Sequence, residues 1–171
     1  MSAPQATVGA YGKGGFYQKA GTTFTLQNNL YLGTVSNGDA YGKYEVNGAN
    51  ASFSAQSAYV GTYGRGSVEQ TNGTVTLSSR LILGHYAGGQ GTYYFNPTTT
   101  GSTTVKGTTF VGYGGSGKIY QYRNTMTYQG TVRLGNNQGA EGYYKLAGGV
   151  LQNDAAYQVV GYQGKGTVEQ S

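Results

Sequence analysis

Val60 to Gln70 reads VGTYGRGSVEQ, and the fold follows from the recurrence of this segment. The same pattern, VGxxGxGxΦxQ with Φ apolar or aromatic, stands at Val8 (VGAYGKGGFYQ), Val111 (VGYGGSGKIYQ) and Val160 (VGYQGKGTVEQ), at spacings of 52, 51 and 49 residues. Gly12, Gly64, Gly115 and Gly164 hold its second glycine position, and Gly14, Gly66, Gly117 and Gly166 its third. Glycines at fixed offsets mark turns and close backbone contacts, since only Gly takes positive φ without steric cost. Phe16, Val68, Ile119 and Val168 supply Φ, and Gln18, Gln70, Gln121 and Gln170 follow two residues later.

Downstream of each complete copy comes a Thr-apolar-Thr triplet (Thr23 to Thr25, Thr74 to Thr76, Thr125 to Thr127), then an apolar-Gly stop at Leu32-Gly33, Leu83-Gly84 and Leu134-Gly135. A second alternating segment, GxYxΦ, follows: Gly42/Tyr44/Val46, Gly91/Tyr93/Phe95 and Gly142/Tyr144/Leu146. Each repeat is thus two similar halves. Taking Val8, Leu32, Val60, Leu83, Val111, Leu134 and Val160 as equivalent gives sub-periods of 24, 28, 23, 28, 23 and 26 residues.

A unit of about 25 residues is too short for a four-stranded propeller blade and carries no helical period of apolar residues. It predicts an all-β parallel solenoid (β-helix) of six to seven coils, each with three short strands. The strands expected are GxΦxQ, TΦTL and the run into LxLG in one half. In the other they are GxYxΦ, a segment around Phe53, Val105 or Leu151, and the run into the next Val-Gly. Right-handed winding is the expectation for parallel connections. The organisation read is an N-terminal segment 1–7 and a single solenoid 8–171, with repeats 8–59, 60–110 and 111–159 and a partial repeat 160–171.

Composition agrees. Among 171 residues there are 32 Gly and 18 Tyr, 10% are charged and 37% hydrophobic, too many and too regularly placed for a disordered chain. The absence of Cys excludes disulfides, thiolate metal sites and thiol nucleophiles. A net charge of +5 lacks the dense basic run of nucleic-acid binders, and favours weak attraction to anionic surfaces such as polysaccharide. No apolar stretch approaches the length of a membrane span, and MSAPQATVGAYG lacks the pattern of an export signal.

The repeat resembles those of large exported bacterial surface proteins, including autotransporter-like passenger regions. The resemblance spans residues 8–171. It implies a β-solenoid on a cell surface or in an extracellular fibre, and it brings no catalytic residue or cofactor.

The residues themselves point the same way. The acids Asp39, Glu45, Glu69, Glu141, Asp154 and Glu169 do not cluster in sequence, and Glu69 and Glu169 stand two full repeats apart. Neither the paired carboxylates of a glycosidase nor an Asp-bearing calcium repeat is present, so no enzyme, metal or cofactor is expected. His85, after a Gly stop, reads as a solvated turn residue. Stacked Gln18, Gln70, Gln121 and Gln170 are read as an amide ladder. Tyr44, Tyr93 and Tyr144 are read as a second ladder that caps the core and reaches water with its hydroxyls; exposed, it would serve adhesion or sugar binding. The Thr triplets suggest an ice-binding array, which Thr104-Val105-Lys106 in the intervening half would interrupt.

The remaining features are the coil edges. Val8 and Gly9 at one end, and Val160, Gly161, Val168 and Gln170 at the other, carry no evident cap. Completion of an open coil by the next molecule predicts a head-to-tail homopolymer; a segment of a longer array would leave the same open coil.

Overall fold

The computed structural model describes residues 1–36, 40–154 and 157–171. The described residues form strands and turns, with no helix among them. The first coil holds β1 (Ser2–Ala3), β2 (Ala6–Val8) and β3 (Lys13–Lys19); the second holds β4 (Thr23–Leu26), β5 (Asn29–Leu32) and β6 (Tyr41–Asn47). In the next two coils a single strand turns a corner: β7 (Ser52–Val60) precedes β8 (Arg65–Gln70), and β9 (Gly73–Leu83) precedes β10 (Gln90–Phe95). Then come β11 (Gly101–Val105), β12 (Thr109–Val111) and β13 (Ser116–Gln121); β14 (Thr125–Tyr128), β15 (Val132–Leu134) and β16 (Glu141–Leu146); and β17 (Val150–Asn153), β18 (Gln158–Val160) and β19 (Lys165–Gln170). Residues 1–7, which the repeat motif does not reach, supply the first rungs of two faces through β1 and β2.

Every ladder is parallel, and the strands form three faces. Face one is the seven-stranded sheet β3-β6-β8-β10-β13-β16-β19. Face two runs β1-β4-β7-β9-β11-β14-β17, and face three contains β2, β5, the second halves of β7 and β9, β12, β15 and β18. Because β7 and β9 pass through the corner unbroken, faces two and three count as one 12-stranded sheet. The corner is bulged: Ala55 pairs with Leu77, but Ser57 pairs with Arg80. The fold is therefore a β-solenoid of about seven turns, roughly 30 Å long at ~4.8 Å per rung.

The equivalence of Val8, Leu32, Val60, Leu83, Val111, Leu134 and Val160 is borne out, for these residues are ladder partners in one inward column of face three. Its five inner members are at most 2% exposed. Face two adds Phe24, Phe53, Val75 and Met126 to the same core, and face one adds Tyr44, Val68, Tyr93, Ile119 and Tyr144. Backbone amides and carbonyls are satisfied mainly between coils, with a few turn bonds within them such as Gly89 to Tyr86, so hydrogen bonding and apolar burial both depend on stacking.

The glycines after the column's apolar residues make the corner into face one. Gly112 has φ +75°, and a Cβ there would fall against the Glu141 carbonyl of the next coil. The second glycine of VGxxG fits a different contact. Three successive amides, of Thr62, Tyr63 and Gly64, converge on the carbonyl oxygen of Gly33 at 3.0, 3.2 and 3.0 Å. The amides of Tyr113, Gly114 and Gly115 wrap the Gly84 carbonyl in the same way. A side chain at Gly115 would run into the Gly89 carbonyl of the coil beneath, whereas Gly12 in the first coil faces open space.

Candidate functional site

Face one alternates two strand types. GxΦxQ occupies β3, β8, β13 and β19, and GxYxΦ occupies β6, β10 and β16. The registers place Phe16, Tyr44, Val68, Tyr93, Ile119, Tyr144 and Val168 in one inward column. Two residues along lies a second column: Gln18, Val46, Gln70, Phe95, Gln121, Leu146 and Gln170.

The glutamines therefore do not stack on one another. Val46, Phe95 and Leu146 separate them, and Gln70 and Gln121 are fully buried, Gln18 nearly so. Each instead forms an internal couple with the tyrosine of the following coil. Gln70 Nε2 donates to the carbonyls of Gly73 and Ser102 at 2.8 and 3.0 Å, while its Oε1 accepts from the hydroxyls of Tyr93 at 2.7 Å and Thr103 at 2.6 Å. Gln121 Nε2 donates to the carbonyls of Asn124 and Val150, and its Oε1 accepts from Tyr144 at 2.6 Å. Gln18 donates to the carbonyls of Thr22 and Ser52 and accepts from the Tyr44 hydroxyl. The hydroxyls of Tyr44, Tyr93 and Tyr144 thus end on buried amides rather than in water. Burial pushes the pKa of all three phenols well above its ordinary value.

Outside, other aromatic rings stack on each other. Tyr63 and Tyr86 lie 4.2 Å apart at 12°, Tyr94 and Tyr120 5.1 Å at 9°, and Tyr31 and Tyr59 4.9 Å at 15°. His85 is half-buried among the rings of Tyr86, Tyr59 and Tyr113, so it is not the solvated turn residue expected. Desolvation lowers its pKa, and its Nδ1 has no hydrogen-bond partner among the described residues.

Stacking also brings acids together that are remote in sequence. Glu45 and Glu69 are ladder partners on the outer surface of face one, and Lys43 bridges them at 3.2 and 2.8 Å. The Glu69 carboxylate, then Glu45, raises the Lys43 pKa against its partial desolvation. Glu169 pairs with Lys145 at 2.5 Å and accepts from the Tyr143 hydroxyl. Asp39 lies outside the described residues. Among the described residues no cluster of three or more His, Cys, Asp or Glu could hold a metal ion, and no helix is long and apolar enough to cross a membrane.

Face two corrects one alignment. The ladder sets Ser102, Thr103 and Thr104, not Thr104 to Lys106, beside Thr74, Val75 and Thr76, because Gly101 pairs with Gly73. Thr103 points inward, where the Gln70 couple satisfies its hydroxyl. The outer pairs Thr23/Thr25, Ser52/Ser54, Thr74/Thr76, Ser102/Thr104 and Thr125/Thr127 consequently run without the expected interruption, and end at Val150/Gln152.

The edges complete the inventory. Val8 and Gly9 belong to the first coil, and Val160, Gly161, Val168 and Gln170 to the last. Strands β1, β2 and β3 at one end, and β17, β18 and β19 at the other, have a ladder partner on one side only. Val160 and Val168 are 50 and 53% exposed, although equivalent residues inside the stack are buried.

Comparison with protein-family models, with curated proteins and with solved structures finds no match. What the geometry defines is the class: a parallel β-solenoid with Gln–Tyr couples in its core.

Proposed function

We propose that this chain is a structural, self-associating β-solenoid, a subunit or segment of an extracellular filament or surface layer that stacks head-to-tail through its coil edges. The observation that carries this reading is the pair of open edges. Each presents parallel strands with unpaired amides and carbonyls, which template the addition of another strand. Continuing the registers across a junction would set Val160 beside Val8, Leu151 beside Met1 and Val168 beside Phe16 of the next molecule, apolar against apolar at these three positions, with Gln170 beside Gln18. The likeness of the repeats to those of exported bacterial surface proteins is what supports an extracellular setting.

Sedimentation velocity tests the junction. Association that grows with concentration is expected, and Val168→Lys should abolish it, since the substitution buries an unpaired charge. Equal sedimentation of both proteins as monomers would contradict the reading.

A second reading, an adhesive or polysaccharide-binding module, draws on the flanks. The stacked pairs Tyr31/Tyr59, Tyr63/Tyr86 and Tyr94/Tyr120 spend ring faces on each other, whereas Tyr11, Tyr17, Tyr157 and Tyr162 are exposed to solvent. A glycan array with no hits would exclude it. For the ice-binding variant of that reading, the readout is thermal hysteresis above that of buffer.

A further inference from the structure

The Gln–Tyr couples impose a direction on stacking. In each of the three, the glutamine of a GxΦxQ strand accepts from the tyrosine of the GxYxΦ strand in the coil that follows. The corners alternate as well: three amides of a GxΦxQ corner wrap one glycine carbonyl of the GxYxΦ coil beneath. In the opposite sense the amides of His85 and Tyr86 go one each to the carbonyls of Gly61 and Thr62. The two strand types are therefore complementary rather than interchangeable.

The last face-one strand, β19, is of the GxΦxQ type. Gln170 stands in the register of Gln18, Gln70 and Gln121, and its side chain is exposed and makes no hydrogen bond among the described residues. We infer that the β19 edge is a selective docking surface whose occupant is a tyrosine-bearing coil of the GxYxΦ type, with the tyrosine hydroxyl donating to Gln170 Oε1. Burying Gln170 under a coil that brings no hydroxyl to it leaves that acceptor unanswered in a closed core, a penalty large enough to discriminate between otherwise similar strands.

The first coil of a second copy is a poorer occupant. It is itself of the GxΦxQ type, and Phe16 stands where the hydroxyl is needed. The inference rests on the same open edge as the head-to-tail reading, but it concerns which strand that edge prefers.

The test uses the full chain and a fluorescent synthetic peptide comprising residues 40–60, which contains β6 and β7 and has Phe53 where the next GxYxΦ coil has Thr103, alongside its Tyr44→Phe version. Fluorescence anisotropy should show the tyrosine peptide binding about tenfold more tightly, the discrimination one buried hydrogen bond provides. Against the chain carrying Gln170→Leu, the two peptides should bind alike. Equal binding to the unmodified chain, a preference that survives Gln170→Leu, or binding by neither peptide would each overturn the inference. Sedimentation of the same samples separates the two ideas. A chain that self-associates without preferring the tyrosine peptide loses only the inference, and one that prefers the tyrosine peptide but stays monomeric loses only the head-to-tail reading.

Discussion

Gln70 and Tyr93 show how single residues hold the coils in order. Gln70→Leu strips hydrogen-bond partners from four groups at once: the buried Tyr93 and Thr103 hydroxyls and the carbonyls of Gly73 and Ser102. The hydroxyls retain each other at 2.9 Å, so the expected loss in guanidinium unfolding is about 2–3 kcal/mol rather than more. Tyr93→Phe should cost only about 1 kcal/mol, because Thr103 still answers Gln70 Oε1. Tyr144→Phe should cost more than Tyr93→Phe, since Gln121 Oε1 has no second hydroxyl. Equal losses at the two tyrosines would contradict this reading of the couples.

The same burial makes stability depend on alkaline pH. Tyr44, Tyr93, Tyr128 and Tyr144 have pKa values raised by desolvation. A raised folded-state value means that the unfolded chain ionises first, so the stabilisation is whole below the ordinary phenol value of about 10 and declines as pH climbs above it. Each such tyrosine should remove about 1.4 kcal/mol per pH unit in that range. Absorbance titration of phenolate checks it: these rings should ionise together with unfolding, and gradual ionisation in a folded protein would count against the account.

At the scale of elements, the alternating sub-periods arise in the corners between faces three and one and, in the coil from Leu83 to Val111, also in the longer link Asn96 to Thr100 between β10 and β11, where Thr71 and Asn72 alone join β8 to β9. Gly9 to Gly14, Gly61 to Gly66, Gly112 to Gly117 and Gly161 to Gly166 are each five residues apart, but Gly33 to Gly42 spans nine, and Gly84 to Gly91 and Gly135 to Gly142 seven. The short corners after the first are tied by three converging amides and have no slack. Inserting two glycines between Ala87 and Gly88, where a Cβ on Gly88 meets nothing, should change stability by less than about 0.6 kcal/mol. The same insertion between Tyr63 and Gly64 breaks the contact with the Gly33 carbonyl, and should lower the unfolding midpoint clearly.

Strand order, the seven-residue apolar column and the coil length were legible in the sequence because glycine and apolar residues recur at fixed offsets. The inward direction of Gln70 was legible too, for it stands two residues after the inward Val68 and strands alternate with period two. Reading the glutamines as a ladder overlooked that the other half-repeat inserts Val46, Phe95 or Leu146 between them. The register of β11 was hidden by Thr103, a polar residue at a core position that only its neighbours in space explain. The pairing of Glu45 with Glu69 across one coil likewise follows from stacking, not from proximity in the chain.

For the whole molecule, a stack of parallel coils has sides that are chemically closed and ends that are open. The flanks hold the Lys43 and Lys145 ion pairs and the tyrosine stacks, whereas the last coil carries exposed Val160 and Val168 in registers that are core inside the stack. The account's central claim is that these ends join molecules. Negative-stain electron microscopy of the purified chain, with and without residues 160–171, tests it most directly. Filaments, or rods several times ~30 Å long, are expected from the full chain and not from the shortened one; short monodisperse particles from both would contradict the claim.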